Sequence, residues 1–151
     1  MNIRVRAIIC HEDKLLLVKH KDHNGWPYDT WVLPGGKVDE GEFITDAIKR
    51  EMIEETGIEP EVGRLLYVHQ FARNKKADGP EFFFEVLNGY DYINVDLSKT
   101  THGKLEIAEI GFHDPSTIAG VLPEFLASLD ATTLPKGTEL IIRREGDHIN
   151  G

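Results

Sequence analysis

The chain has 151 residues, 40% hydrophobic and 28% charged, with 17 Lys and Arg against 26 Asp and Glu for a formal net charge of −9. That length and composition suit one compact globular domain and exclude a disordered chain. No apolar run approaches the ~20 residues a membrane helix needs, and the acidic balance argues against a broad basic face for a nucleic acid polymer. The expected organisation is therefore a single domain over 1–151 with a polar tail from about Arg144. One cysteine, Cys10, leaves no intramolecular disulfide and no Cys-based zinc site. With no signal peptide evident behind Met1–Arg6, a reducing cytoplasm is the expected compartment.

Ile3 to Cys10 alternates, with Val5, Ala7 and Ile9 on one face and Arg4, Arg6 and Ile8 on the other, which predicts a strand. A turn at His11–Lys14 returns it into Leu15–Val18 as a hairpin. Lys19–Thr30 reads as loop, and Trp31–Leu33 as a short apolar strand stopped by Pro34-Gly35-Gly36. Phe43–Thr56 is the clearest helix, with Gly57 placed as its left-handed cap. Leu65–Phe71 and Glu81–Leu87 read as a strand pair about an Asp78-Gly79 turn. Tyr90–Lys104 is expected to be a long polar connection and Leu105–His113 a strand. Asp114-Pro115-Ser116 opens a short helix, Leu122–Leu129 reads as a second one, and Thr138–Arg143 as the last strand. The fold class is α/β with a mixed, mostly antiparallel sheet.

The segment Gly36–Ile58 carries seven acidic side chains. Helix geometry at about 100° per residue puts Glu51, Glu54 and Glu55 at about −20°, −80° and +20° from Ile44, on the same stripe as Ala47, Ile48 and Met52. A solvated charged face would lie opposite that stripe. Three clustered carboxylates repel one another, and a divalent cation removes the conflict. Carboxylates are hard oxygen ligands suited to Mg²⁺ or Mn²⁺, which implies phosphoryl chemistry. Arg50 precedes the trio and can neutralise or orient a neighbouring carboxylate. The glycines at 35 and 36 permit a tight turn and close backbone approach to an ion.

Gly36, five residues, Glu42, seven residues, Arg50-Glu51-Met52, one residue, Glu54-Glu55, one residue and Gly57-Ile58 match the Nudix box at every defined position. The chain thus resembles the Nudix hydrolase family, in its small MutT-like form. The resemblance implies an α/β/α sandwich with a mixed sheet. It implies Mg²⁺- or Mn²⁺-dependent cleavage of a phosphoanhydride bond in a nucleoside diphosphate linked to another group, a nucleoside triphosphate among the options. By the same resemblance Glu51, Glu54 and Glu55 hold metal, with the Gly35 carbonyl as a further ligand, and Arg50 pairs with Glu42. A distal carboxylate often joins such a set; Glu106 is the first candidate and Glu109 the second. Glu51 and Glu54, with Glu106 behind them, are the candidate bases for the attacking water.

Subgroup signatures outside the box are absent, including a proline or tyrosine at Arg73–Lys76. Arg4, Arg6 and Lys19 are the candidate phosphate contacts, with surface solubility as the plainer account. Trp26, Tyr28, Phe71 and Phe82–Phe84 are available for base stacking, although alternation assigns much of the last run to the core. His20 and His23 read as surface residues. The expected partner is a small nucleotide, with no membrane and no nucleic acid polymer; a homodimer is left open. The rival reading is a non-catalytic nucleotide sensor on the same fold, which an intact box disfavours.

Overall fold

The computed structural model describes residues 2–21, 29–73 and 76–144, the Arg73 side chain excepted. Strand β1 (Arg4–His11) and β2 (Lys14–His20) form the expected hairpin. Its two turn residues, Glu12 and Asp13, adopt φ of 49° and 64°, the positive values that a two-residue turn needs to match strand twist. Next come β3 (Trp31–Val32), β4 (Gly35–Lys37) and helix α1 (Ile44–Thr56). Gly57 closes α1 in the left-handed region at φ 76°, its N–H bonding the Ile53 carbonyl. The long β5 (Val62–Arg73), β6 (Lys76–Ala77) and β7 (Glu81–Val86) follow. The chain ends through α2 (Gly103–Glu106), β8 (Ile107–His113), β9 (Val121–Leu122) and β10 (Glu139–Arg143).

The sheet runs β10-β5-β7-β1-β2-β3-β9, with β4 on β1, β6 on β5 and β8 on β2. It is mixed: β1/β7, β10/β5 and β3/β9 are parallel and the rest antiparallel. Two apolar layers cover it. On one face Val5, Ala7 and Ile9 of β1 and Phe84 and Val86 of β7 pack against Ala47, Ile48 and Met52 of α1. On the other, Ile8, Leu15, Leu17, Leu66 and Phe83 pack beneath Val121 and Leu126. The α/β fold class is as expected, but the second layer is thin. The segment expected to be helical over Leu122–Leu129 is a 3₁₀ turn at Glu124–Ser128. So short a piece has little to offset the cost of helix nucleation.

Four further elements differ from expectation, each for a local reason. The polar connection after Tyr90 is built, containing 3₁₀ turns at Gly89–Tyr92 and Leu97–Lys99 and the one-turn α2. The buried Tyr92 ring anchors it, its hydroxyl donating to the Ile58 carbonyl at 3.0 Å. The strand expected from Leu105 starts only at Ile107, because Thr100 Oγ1 accepts the Lys104 N–H at 3.0 Å and winds the preceding residues into α2. At Asp114 a side-chain oxygen accepts the Ser116 N–H at 2.9 Å, which makes a turn and no helix. β5 is longer than predicted because register shifts between Val62 and Leu65 and between Leu65 and Tyr67 break its alternation.

Candidate metal and hydrolase site

The site is assembled where β4 leads into α1. β4 pairs with β1, setting Gly36 opposite Val5 and Gly35 opposite Arg6. Gly35 has φ 142°, and a Cβ there would collide with the Val5 carbonyl oxygen. Only glycine lets this strand approach β1 so closely. Its N–H points at the Glu55 carboxylate, 3.4 Å away.

Glu55 lies on the sheet side of α1 and is only 3% exposed. Burial, followed by the negative charge of Glu51, pushes its pKa up to about 8, with Arg6 pulling the other way. Glu51 is also raised, again chiefly by burial, while a hydrogen bond from Arg50 opposes the rise. The helix therefore turns Glu55 and Glu51 toward the core side, as the periodicity predicts, while the Glu54 side chain stays 25% exposed.

Arg50 ties the assembly together. Its Nε donates to Glu42 Oε2 at 2.8 Å and its Nη2 to Glu42 Oε1 at 3.0 Å. That fork is the first cause holding the Glu42 carboxyl below its usual range. Nη2 also reaches the Lys37 carbonyl at 3.0 Å, so the loop Lys37–Glu42 is clamped onto the helix. Nη1 donates to Glu51 Oε1 at 3.0 Å and to Glu54 Oε2 at 3.1 Å.

These residues fit a divalent cation by donor chemistry. Glu55 is a buried carboxylate whose described hydrogen bonding is one long contact from a neutral N–H. Glu51 and Glu54 already converge on a positive group, the Arg50 guanidinium. Among the described residues no three Asp, Glu, His or Cys side chains are gathered closely enough to hold an ion as they stand. A cation bound by the trio would draw Glu51 and Glu54 off Arg50.

The distal candidates separate. Gly103 of α2 is packed so tightly on the Glu55 carbonyl that a side chain there would collide with it. This contact docks α2 against the end of α1 and brings the exposed Glu106 close enough for its charge to be felt at Glu55. Glu109 is exposed and lies 3.9 Å from Lys19. Sequence reasoning missed His102, whose Nδ1 is 3.1 Å from Glu54 Oε2 and whose N–H donates to the Glu54 carbonyl at 2.9 Å. No spacing signal announces it, since only the α2–α1 packing creates the contact.

The candidate phosphate contacts are all engaged. Arg6 is buried, its Nε donating to Glu81 Oε2 at 3.1 Å and its Nη1 to the Leu33 carbonyl at 3.3 Å. Glu81 Oε1 lies 3.2 Å from His69 Nδ1, completing a buried Arg6–Glu81–His69 network that the sequence did not suggest. Arg4 lies beside it, 3.7 Å from Asp78. Lys19 bonds Asp29 at 3.3 Å and sits 4.6 Å over the Trp31 ring. Phe83 and Phe84 are buried and Phe82 is half-buried, while Phe71 stacks on His69 at 5.5 Å. Trp26, Tyr28 and His23 lie outside the described residues, as does the tail from 145 on. Among the described residues no helix is long and apolar enough to cross a membrane.

Known proteins resemble this chain in sequence and in fold. An ADP-ribose pyrophosphatase of Methanocaldococcus jannaschii is 41% identical over 68 residues, 44% of this chain and 38% of that protein. The nucleoside triphosphatase NudI of Escherichia fergusonii is 41% identical over 59 residues, 36% of this chain and 42% of that one. The matches span half or less of such curated relatives' own length. The solution structure of the E. coli ORF135 protein superposes with a TM-score of 0.61 at 23% identity, covering 82% of this chain and 81% of that one, and so shares the fold. Residues 1–135 match the family model of the NUDIX domain, and with its box intact at the carboxylate helix the chain belongs to that family.

Proposed function

We propose that this chain is a divalent-cation-dependent hydrolase of a phosphoanhydride bond in a small nucleotide: a nucleoside diphosphate linked to another group, nucleoside triphosphates included. The observation that carries the reading is the clustering of Glu51, Glu54 and Glu55 along α1, with the Glu55 carboxyl buried on the sheet side and its charged form poorly compensated. Mg²⁺ or Mn²⁺ bound there would neutralise charge on the diphosphate as the transition state forms. Family membership and the activities named for its relatives support the same class of chemistry.

In this reading Glu51, Glu54 and Glu55 are the metal ligands, with the Gly35 carbonyl and Glu106 as additional donors. A carboxylate freed from Arg50, either Glu51 or Glu54, takes the proton of the attacking water, with Glu106 as the alternative base. Arg50 keeps Glu42 and the loop in place throughout. Arg4 and Lys19 offer positive charge to the substrate's phosphates, each by exchanging an existing carboxylate partner. Arg6 acts from within, steadying Glu51 and Glu55 with its charge.

The test is a panel of nucleoside triphosphates and diphosphate-linked nucleosides with Mg²⁺ or Mn²⁺, read as phosphate or pyrophosphate release. Turnover of at least one member is expected, abolished by excess EDTA. Tight binding without turnover across the panel would instead make the protein a nucleotide sensor.

A further inference from the structure

Strand β10 reads Glu139-Leu140-Ile141-Ile142-Arg143 and hydrogen-bonds β5 along one edge. Its other edge meets no strand among the described residues, so it ends the sheet. Leu140 is 69% exposed and Ile142 44%. The register sets Leu140 beside Val68 and Val68 beside Phe82, both only half-buried, so an apolar strip reaches this edge. Sheet edges are normally protected by an interior charge, a proline or a bulge, and three consecutive aliphatic residues offer none of these.

We propose that β10 pairs antiparallel with β10 of a second copy of this chain, about a twofold axis through Ile141. In an antiparallel pair directly opposed residues must share a side of the pleat, so on self-pairing the two opposed residue numbers sum to an even value. Three registers are then available within the strand, centred on Leu140, Ile141 or Ile142. Centring on Leu140 sets Glu139 against an aliphatic Ile141. Centring on Ile142 sets Arg143 against Ile141. Centring on Ile141 sets Glu139 opposite Arg143 twice over, Leu140 opposite Ile142 twice over, and Ile141 on itself. Only this register matches opposite charges and joins the two exposed apolar strips on one face. The contact is isologous, which uses both β10 edges and closes the assembly at two copies.

The experiment is sedimentation equilibrium on the full chain and its charge reversals. The wild type should dimerise reversibly. Glu139→Arg or Arg143→Glu should each raise the dimer dissociation constant by about tenfold or more, since two favourable pairs become two like-charge pairs. The double reversal should return it to within about threefold of wild type, because opposite charges face each other again. Ile142→Lys, at an exposed position, should weaken the dimer as the single reversals do. A wild type that stays monomeric up to its solubility limit overturns the proposal. So do single reversals, or a folded Ile142→Lys chain, that dimerise like the wild type.

Discussion

Gly36 lies so close to Glu51 that a Cβ on the glycine would sit 2.6 Å from the glutamate's carboxyl carbon. The obstructed atoms are the end of a flexible side chain, so the fold can absorb a methyl group there by moving the carboxylate. Gly36→Ala is therefore expected to lie within about 1 kcal/mol of wild type in stability while displacing the Glu51 carboxylate, a proposed metal ligand. The expected loss in metal-dependent turnover is about tenfold or greater, with weaker Mg²⁺ binding. Unchanged kinetics with unchanged Mg²⁺ affinity would show that Glu51 does not serve where it now lies.

Removing the cation should be visible in stability as well as in activity. At a concentration of Mg²⁺ a hundred times its dissociation constant, the melting temperature should rise by roughly 5–10 °C over the EDTA-treated protein. Scanning calorimetry with and without the ion checks this, and an identical transition in both would contradict the assignment of the carboxylate trio.

Glu55→Gln separates the charge of this side chain from its volume. Without metal the variant should melt at or above the wild type at neutral pH, since a buried carboxyl whose charged form is disfavoured by burial and by Glu51 is replaced by a neutral amide. The Mg²⁺-induced rise in melting temperature should disappear and turnover should fall by roughly 10²-fold or more. Retention of both at saturating Mg²⁺ would remove Glu55 from the ligand set.

Glu106 and Glu109 are expected to behave differently. Glu106 is close enough to bear on Glu55, whereas Glu109 sits beside Lys19 on β8. Glu106→Gln should lower kcat by about 10²-fold with a smaller change in KM, and Glu109→Gln should do little. If Glu106 is the base, raising the pH should recover part of the rate; if it is a ligand, added metal should do so. Equal and mild effects would return both to exposed surface carboxylates.

The buried Arg6–Glu81–His69 network predicts an acid-labile contribution to stability. Burial alone would raise the Glu81 carboxyl, but the His69 hydrogen bond and the Arg6 charge outweigh it and hold it down to about 2, against 4.5 ordinarily. With the folded value lowered, the stabilisation is fully present above about pH 4.5 and is lost as the pH falls toward 2. Glu81→Gln should lower stability at pH 7 by on the order of a few kcal/mol and flatten the acid limb of the profile. Parallel pH–stability curves for the two proteins would show the network to be energetically idle.

The carboxylate cluster of the candidate site was legible in the sequence because it is written on one continuous element. Helical periodicity alone puts Glu51, Glu54 and Glu55 on the stripe of Ala47, Ile48 and Met52, and α1 buries Glu55 accordingly. Arg50 reaches Glu42 because eight residues and one loop separate them. The β1–β2 hairpin and the Gly57 cap were readable for the same reason, since local backbone geometry specifies them. What the sequence could not show depends on contacts between distant segments. His102 meets Glu54, and Glu106 approaches Glu55, only because Gly103 lets α2 dock on the end of α1. Arg6 and Glu81 stand 75 residues apart, and parallel pairing of β1 with β7 turned a candidate phosphate contact into one member of a buried ion network. Periodicity reports which side of an element faces the core; which partner waits there is decided by strand order and packing, and those carry no local signal.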